Sequence, residues 1–355
     1  MEKTAVHEDL WPYIVTLLPA DLEESARARE ALVRCRNVPN AAALMRMALA
    51  YAVSDLSLKD VAAWAHAQRV AEITGPGLFY RLREAEAWLQ QVLAATLQEE
   101  IPGRPLGGLG RVWIVDATVV TGPGSTGTDW RVHVAVDPAT GTLRSVELTD
   151  GYTGEGYARH HAEPGDILLG DRGYATARGI GAVRKVEAHV VVRVNPRTLR
   201  LCNVARQPFD LLAQGYMVPS VGYKVWEVVV PIPPERTRSH KSWPLAKAQG
   251  WMPARVVAGR TRNGNIIWVL TTSLSGLLPP IQVLRLYRLR WQVELVFKRL
   301  KSLLHLDTLP TRHGPTAKSW LLSRFLAAAL AQRLAQPVGP LSPFGYDLQE
   351  AGIPQ

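Results

Sequence analysis

Up to about residue 100 the apolar positions recur every three or four residues; beyond residue 110 they crowd into short runs or alternate. The first regime predicts helices over Asp21–Arg36, Asn40–Val53, Ser57–Gln68 and Leu78–Leu97, all rich in Ala, Leu, Glu and Arg. Asn40 and Ser57 stand at N-cap positions, and Asp60 gives Ser57-Leu-Lys-Asp60 the form of a capping box. The second regime predicts strands. Arg111–Val120 is an almost unbroken β-branched run, as expected of a central strand covered on both faces. Trp130–Asp137 and Thr142–Leu148 form a hairpin in which Asp137 is a turn residue, and Ile167–Gly170 and His189–Val194 are further strands. Helices are expected over Ala175–Val186 and, as a short piece, Thr153–His161, with the His160-His161 pair at the surface.

The remainder divides by punctuation. Ile101–Gly110 is a Pro/Gly linker. From Asn195 to about Ser275, β-like segments alternate with Pro-rich turns and a basic loop, Arg236–Trp243, which reads as a β-rich insertion. Lys318–Leu334 is an amphipathic helix and Pro337–Gln355 irregular. The resulting expectation is a helical domain over 1–105, a core in two parts over 106–194 and 279–336, the insertion over 195–278 and a tail over 337–355. Ser57–Arg69, Ile73–Gly77 and Leu78–Arg83 read either as a plain helical bundle or as a helix-turn-helix that carries Tyr80, Arg81 and Arg83 into DNA.

Leu284–Leu304 concentrates the chemistry. On a helical wheel Tyr287, Arg290, Trp291, Glu294, Lys298 and Lys301 fall within an arc of about 100°, opposite a leucine-rich side. That face reads either as a solvated surface with pairs such as Glu294–Lys298 or as one carboxylate ringed by phosphate-seeking cations. Asp116, in the middle of an apolar strand, costs several kcal/mol unless it faces an opening and a cation. Asp171 ends another apolar strand, with Gly170 and Gly173 keeping the backbone clear, although an Asp before a helix is also a common N-cap. Composition sharpens this. The formal charge of +10 favours a polyanionic partner. Cys35 and Cys202 fit neither a disulfide framework nor a zinc site. The chain has no apolar run long enough to span a membrane and no signal-peptide core at its start, which fits a soluble protein of the reducing cytoplasm.

Asp116, Asp171 and Glu294 in that order, Tyr287-x2-Arg290-x3-Glu294-x6-Lys301 and Asp171-Arg-Gly-Tyr174 closely resemble the DDE transposases of bacterial insertion sequences, in the insertion-sequence-four branch with its YREK signature. The resemblance runs from about Leu56 to Leu330 and implies an α/β fold: a ribonuclease-H-like core interrupted by a β-rich insertion and preceded by an all-helical DNA-binding domain. It implies that Asp116, Asp171 and Glu294 hold two Mg²⁺ ions, with Mn²⁺ as a substitute, for DNA cleavage and strand transfer. It also implies that Tyr287, Arg290 and Lys301 hold phosphates of a transposon end, with Lys298 on the same face and Arg172 beside the second acid. Trp291 and Trp268 resemble tryptophans that stack on a flipped base near a DNA hairpin, whereas Trp113, Trp226 and Trp251 are expected in the core. The implied partners are terminal inverted repeats, target DNA and a second protomer; the short tail departs from relatives that use further helices for pairing. A domesticated DNA-binding protein and a metal-dependent nuclease are the competing readings.

Overall fold

The structure, a computed structural model, describes residues 10–54, 56–98, 110–125, 127, 129–138, 140–194, 199–234, 243–261, 263–273, 276–291, 293–294, 297–298, 309–311 and 313–335. Lys301, the linker before Gly110, most of the basic loop and the tail from residue 336 lie outside them.

The chain divides into two compact units. One gathers α1 (Trp11–Thr16), α2 (Leu22–Ala28), α3 (Ala41–Val53), α4 (Leu58–Ala67), α5 (Gly75–Glu84), α6 (Glu86–Gln98) and the last helix, α9 (Gly314–Ala335). Local signals set these ends. The Asn40 side chain accepts from Ala43 N–H, and Ser57 and Asp60 complete the capping box. Thr74 caps α5 through Gly77 N–H, and Pro76 opens its first turn, where its missing donor costs nothing. The expected break at Ile73–Gly77 is therefore mostly helix, and the link from α4 to α5 is short. A second break appears instead at Ala85, which splits the long helix expected over Leu78–Leu97.

α9 packs on α3, α5 and α6. It was expected to be amphipathic and to belong with the second part of the core. Instead Trp320, Leu321, Leu322, Phe325 and Leu326 are all buried, and so are Ser319, Ser323 and Arg324. Ser319 Oγ donates to the Leu82 carbonyl at 2.6 Å and Ser323 Oγ to Ser319 at 2.8 Å, which satisfies hydroxyls inside an apolar setting. Among the described residues no helix is long and apolar enough to cross a membrane.

The other unit is built on one eight-stranded sheet, in the order β3-β2-β1-β4-β5-β8-β7-β6. Its strands are β1 (Val112–Val120), β2 (Trp130–Val136), β3 (Leu143–Asp150), β4 (Ile167–Gly170), β5 (His189–Arg193), β6 (Tyr223–Ile232), β7 (Gly250–Arg260) and β8 (Ile266–Thr271). β1, β4 and β5 run parallel, and β4 and the centre of β5 are buried throughout, as a doubly covered strand requires. The region expected as an insertion supplies β6–β8. It continues the same sheet, because β8 pairs antiparallel with β5 (Val191↔Thr271, Val192↔Leu270). Helices α7 (Ala177–Lys185) and α8 (Pro280–Leu289) belong to this unit. The core between sheet and α7 joins Ile180 and Val183 to Val190, Val192, Val256 and Leu270. The short helix expected over Thr153–His161 is only a 3₁₀ turn, Tyr157–Arg159.

Candidate active site

β1 and β4 lie side by side with Val112 opposite Ile167 and Ile114 opposite Leu169. Continuing that register carries Asp116 to the level of Asp171, just past the end of β4. A carboxylate from the middle of β1 thus stands level with one just past the carboxyl end of the neighbouring parallel strand β4, the end at which sites form in such sheets. Asp116 is mostly buried, and its Oδ1 accepts from Ala117 N–H at 2.8 Å. Burial is the main reason its pKa is pushed up to about 6; repulsion from Asp171 and Glu155 adds to it, while the Ala117 hydrogen bond and Arg290 oppose it.

Asp171 Oδ1 accepts from Gly173 N–H at 2.7 Å, which folds the chain back after the strand. The two flanking glycines are there for space. A Cβ on Gly170 would strike the Tyr157 hydroxyl, and one on Gly173 would run into the Glu155 carboxylate while lying 3.2 Å from Asp171 Oδ1. Tyr157 and Tyr174 back the acids with rings 5.1 Å apart, and burial, followed by nearby carboxylates including Asp171, raises both phenols above their ordinary range. His160, expected at the surface, is instead buried 5.9 Å from the Tyr174 ring, and burial pushes its pKa down to about 3.

The helix expected over Leu284–Leu304 is not continuous. α8 ends at Leu289, and hydrogen bonds from Arg290, Val293 and Glu294 back to Tyr287, Arg290 and Trp291 tighten the backbone to i→i−3 spacing. The single polar stripe is thereby divided. Tyr287 is buried, and desolvation raises its pKa; Arg290, Arg193 and Asp171 are the charges that act on it. Glu294 is 64% exposed, and Trp291 and Lys298 are exposed too. Arg290 joins the parts: one terminal nitrogen lies 3.5 Å from Asp116 Oδ2 and the other donates to Glu294 Oε1 at 2.9 Å. The third acid thus reaches the first through a shared guanidinium.

Hard carboxylate oxygens suit a divalent cation such as Mg²⁺ or Mn²⁺, and the raised proton affinity of Asp116 marks a place that gains from positive charge. Among the described residues no three His, Cys, Asp or Glu side chains already stand as a ligand group. Arg290 supplies the positive charge beside Asp116. The donor set fits an ion, provided that Arg290 yields and Glu294 turns inward.

Other sequence-derived candidates lie elsewhere. Trp268 is 6% exposed with its ring 5.5 Å from that of Trp226, so stacking on a base would require it to leave the core. Trp113 is buried as expected, with Arg144 over its ring at 4.3 Å. In the helical unit Tyr80 is exposed with Arg83 over its ring at 5.0 Å, Arg83 also pairs with Glu84, and Arg81 donates to the Arg34 carbonyl at 2.7 Å. Glu155 is the residue that sequence reasoning passed over. Its signal was a lone carboxylate between Gly154 and Gly156, in a stretch read as helix.

Residues 107–330 match the family model described as Transposase DDE domain. The chain is 33% identical over 354 residues to InsL of insertion sequence element IS186A from Escherichia coli strain K12, covering 93% of this chain and 95% of that protein. It is 33% identical over 355 residues to the transposase for insertion sequence element IS421 of Escherichia coli, with the same coverage. A solved structure of a piggyBac transposase synaptic complex with hairpin DNA aligns at a TM-score of 0.48 and 9% identity, covering 96% of this chain and 76% of that one.

Proposed function

We propose a function that proceeds from one premise: the chain belongs to the DDE-domain transposases of bacterial insertion sequences. It is accordingly an enzyme of DNA transposition. Within that family we assign it cut-and-paste transposition of its own element, with Asp116, Asp171 and Glu294 as the catalytic acids and two Mg²⁺ ions, replaceable by Mn²⁺, as cofactors. Bound between these acids, the ions supply Lewis-acid activation of water or of a DNA 3′-hydroxyl and stabilise the leaving oxygen.

The observation that carries the assignment is the pair of carboxylates brought level on adjacent parallel strands, Asp116 within β1 and Asp171 just past β4, with Arg290 spanning Asp116 and Glu294. Arg290 holds the charge of Asp116 in check while no DNA is bound. An arriving phosphodiester offers the guanidinium a bidentate partner, and transfer to it frees Glu294 to join the other two acids. Tyr287 steadies that guanidinium from the buried side, and its phenol stays neutral at working pH. Lys298, Lys301, Arg172 and Trp291 add contacts to the transposon end, Tyr80, Arg81 and Arg83 contact DNA from the helical unit, and two protomers pair two ends. Excision through a hairpin draws support from Trp291 alone, because Trp268 is engaged in the core.

The test is incubation with a duplex carrying the element's terminal inverted repeats and Mg²⁺, resolved on a denaturing gel. Nicks, hairpins and joined products are expected from the native protein, and none from Asp116→Asn or Glu294→Gln, both of which keep end binding. Cutting without joining would make the protein a nuclease. Binding without cutting would make it a domesticated DNA-binding protein.

A further inference from the structure

A pocket of about 190 Å³ opens beside the second acid, between the Arg172–Gly173 turn, the first turn of α7 and the far end of β6. That volume is several times a water molecule's share of about 30 Å³. Its charged lining is two guanidiniums, Arg172 and Arg200, and no carboxylate lines it among the described residues. Arg200 is held in place: it donates to the Trp243 carbonyl at 2.6 Å and lies 5.2 Å from the centre of the Trp243 ring. Arg172 is exposed. Trp243 walls one side, 6% exposed, and its indole N–H is buried without an acceptor among the described residues.

α7 contributes a third feature. Thr176 occupies its N-cap and satisfies Gly179 N–H, and the positive end of the helix dipole lies toward Ala177, on the pocket wall. The framework is tied together by Arg178, which donates to the Pro234 carbonyl at 2.7 Å, and by the bridges of Cys202 to Val229 and Pro208. Two guanidiniums and a helix N-terminus thus border a cavity that Leu199 and prolines complete. An acceptor-rich anion with an apolar flank, such as a phosphate with its sugar, matches it.

We propose that this pocket seats a backbone phosphate of the DNA strand that runs past Asp171. The inference rests on the transposase reading above, and its test uses binding without metal, so that its failure is separate from any failure of cleavage. Affinity for an end-containing duplex would be measured by fluorescence anisotropy from 50 to 300 mM KCl for the native protein, Arg200→Gln and Arg172→Gln. Each variant should reduce the slope of log affinity against log salt by about 1. In parallel, the indole N–H signals of protein with ¹⁵N-labelled tryptophan would be followed with duplex and with inorganic phosphate, Trp243→Phe identifying the Trp243 signal. The duplex should shift that signal at micromolar concentration, and phosphate only at far higher concentration. An unchanged slope in a folded Arg200→Gln protein, or a Trp243 signal that responds to phosphate and not to DNA, overturns the proposal.

Discussion

Replacing Asp116 with Asn should make the protein more stable at neutral pH while removing its activity. In the folded chain burial pushes the Asp116 carboxyl up to about 6, from an ordinary value of 3.8. The shift of about two pH units corresponds to about 3 kcal/mol of folding free energy given up when the group is ionised. The sign follows from proton uptake: between pH 4 and 6 the folded state holds this proton more tightly than the unfolded one, so stability falls as pH rises through that window and stays reduced above it. Asparagine carries no charge to desolvate and none for Asp171 or Glu155 to repel, yet its oxygen can still accept from Ala117 N–H. With an unfolding entropy of about 2 cal/mol/K per residue over 355 residues, 3 kcal/mol is a rise of about 4 °C in Tm. Differential scanning fluorimetry of both proteins from pH 4 to 8 measures it. Groups common to both proteins cancel in the difference, which should be near zero at pH 4 and reach its plateau above pH 6.5. A variant less stable than the native protein at pH 7.5, or a gap that does not close toward pH 4, refutes the account of Asp116 as a carboxylate held against its preference.

Glu155→Gln removes one of the charges that repel Asp116, so the midpoint of the native protein's stability change should move to lower pH; an unmoved midpoint in the same melting series would show that Glu155 does not act on Asp116. Gly173→Ala places a methyl against the Glu155 carboxylate and should abolish cleavage while duplex binding by anisotropy remains near native; retained cleavage would count against the packing of this turn. Trp268→Ala should cost about 3–5 kcal/mol by emptying the space against Trp226, whereas Trp291→Ala should leave Tm nearly unchanged. Equal melting shifts for the two tryptophans would reverse their assignment.

Much of this was legible in the residues because the signals are local. Asn40, Ser57 and Asp60 cap helices by rules that depend on three or four neighbours. Asp116 and Asp171 stood out because each charge interrupts or ends an apolar strand, and parallel pairing of β1 with β4 then brings them level. What escaped depended on partners distant in the chain. Nothing within Leu284–Leu304 announces that the helix tightens after Leu289, so Tyr287 and Glu294 read as sharing one face although one is buried and the other exposed. Burial of Trp268 is decided by Trp226, and burial of His160 by Tyr174. The last helix looked amphipathic because Ser319, Ser323 and Arg324 count as polar in a pattern, whereas two of the three bond to carbonyls inside the helical unit.

Pairing of β8 with β5 also bears on how this protein could be trimmed. Residues 199–273 resemble a removable cassette between two halves of an enzyme, yet excising them would strip β5 of its neighbour along Val191, Val192 and Arg193. A valine-rich strand with bare amides and carbonyls is a template for other chains, so a shortened transposase would be expected to precipitate, however well its acids were preserved. Any minimal version has to furnish a substitute for β8 before it can dispense with the rest.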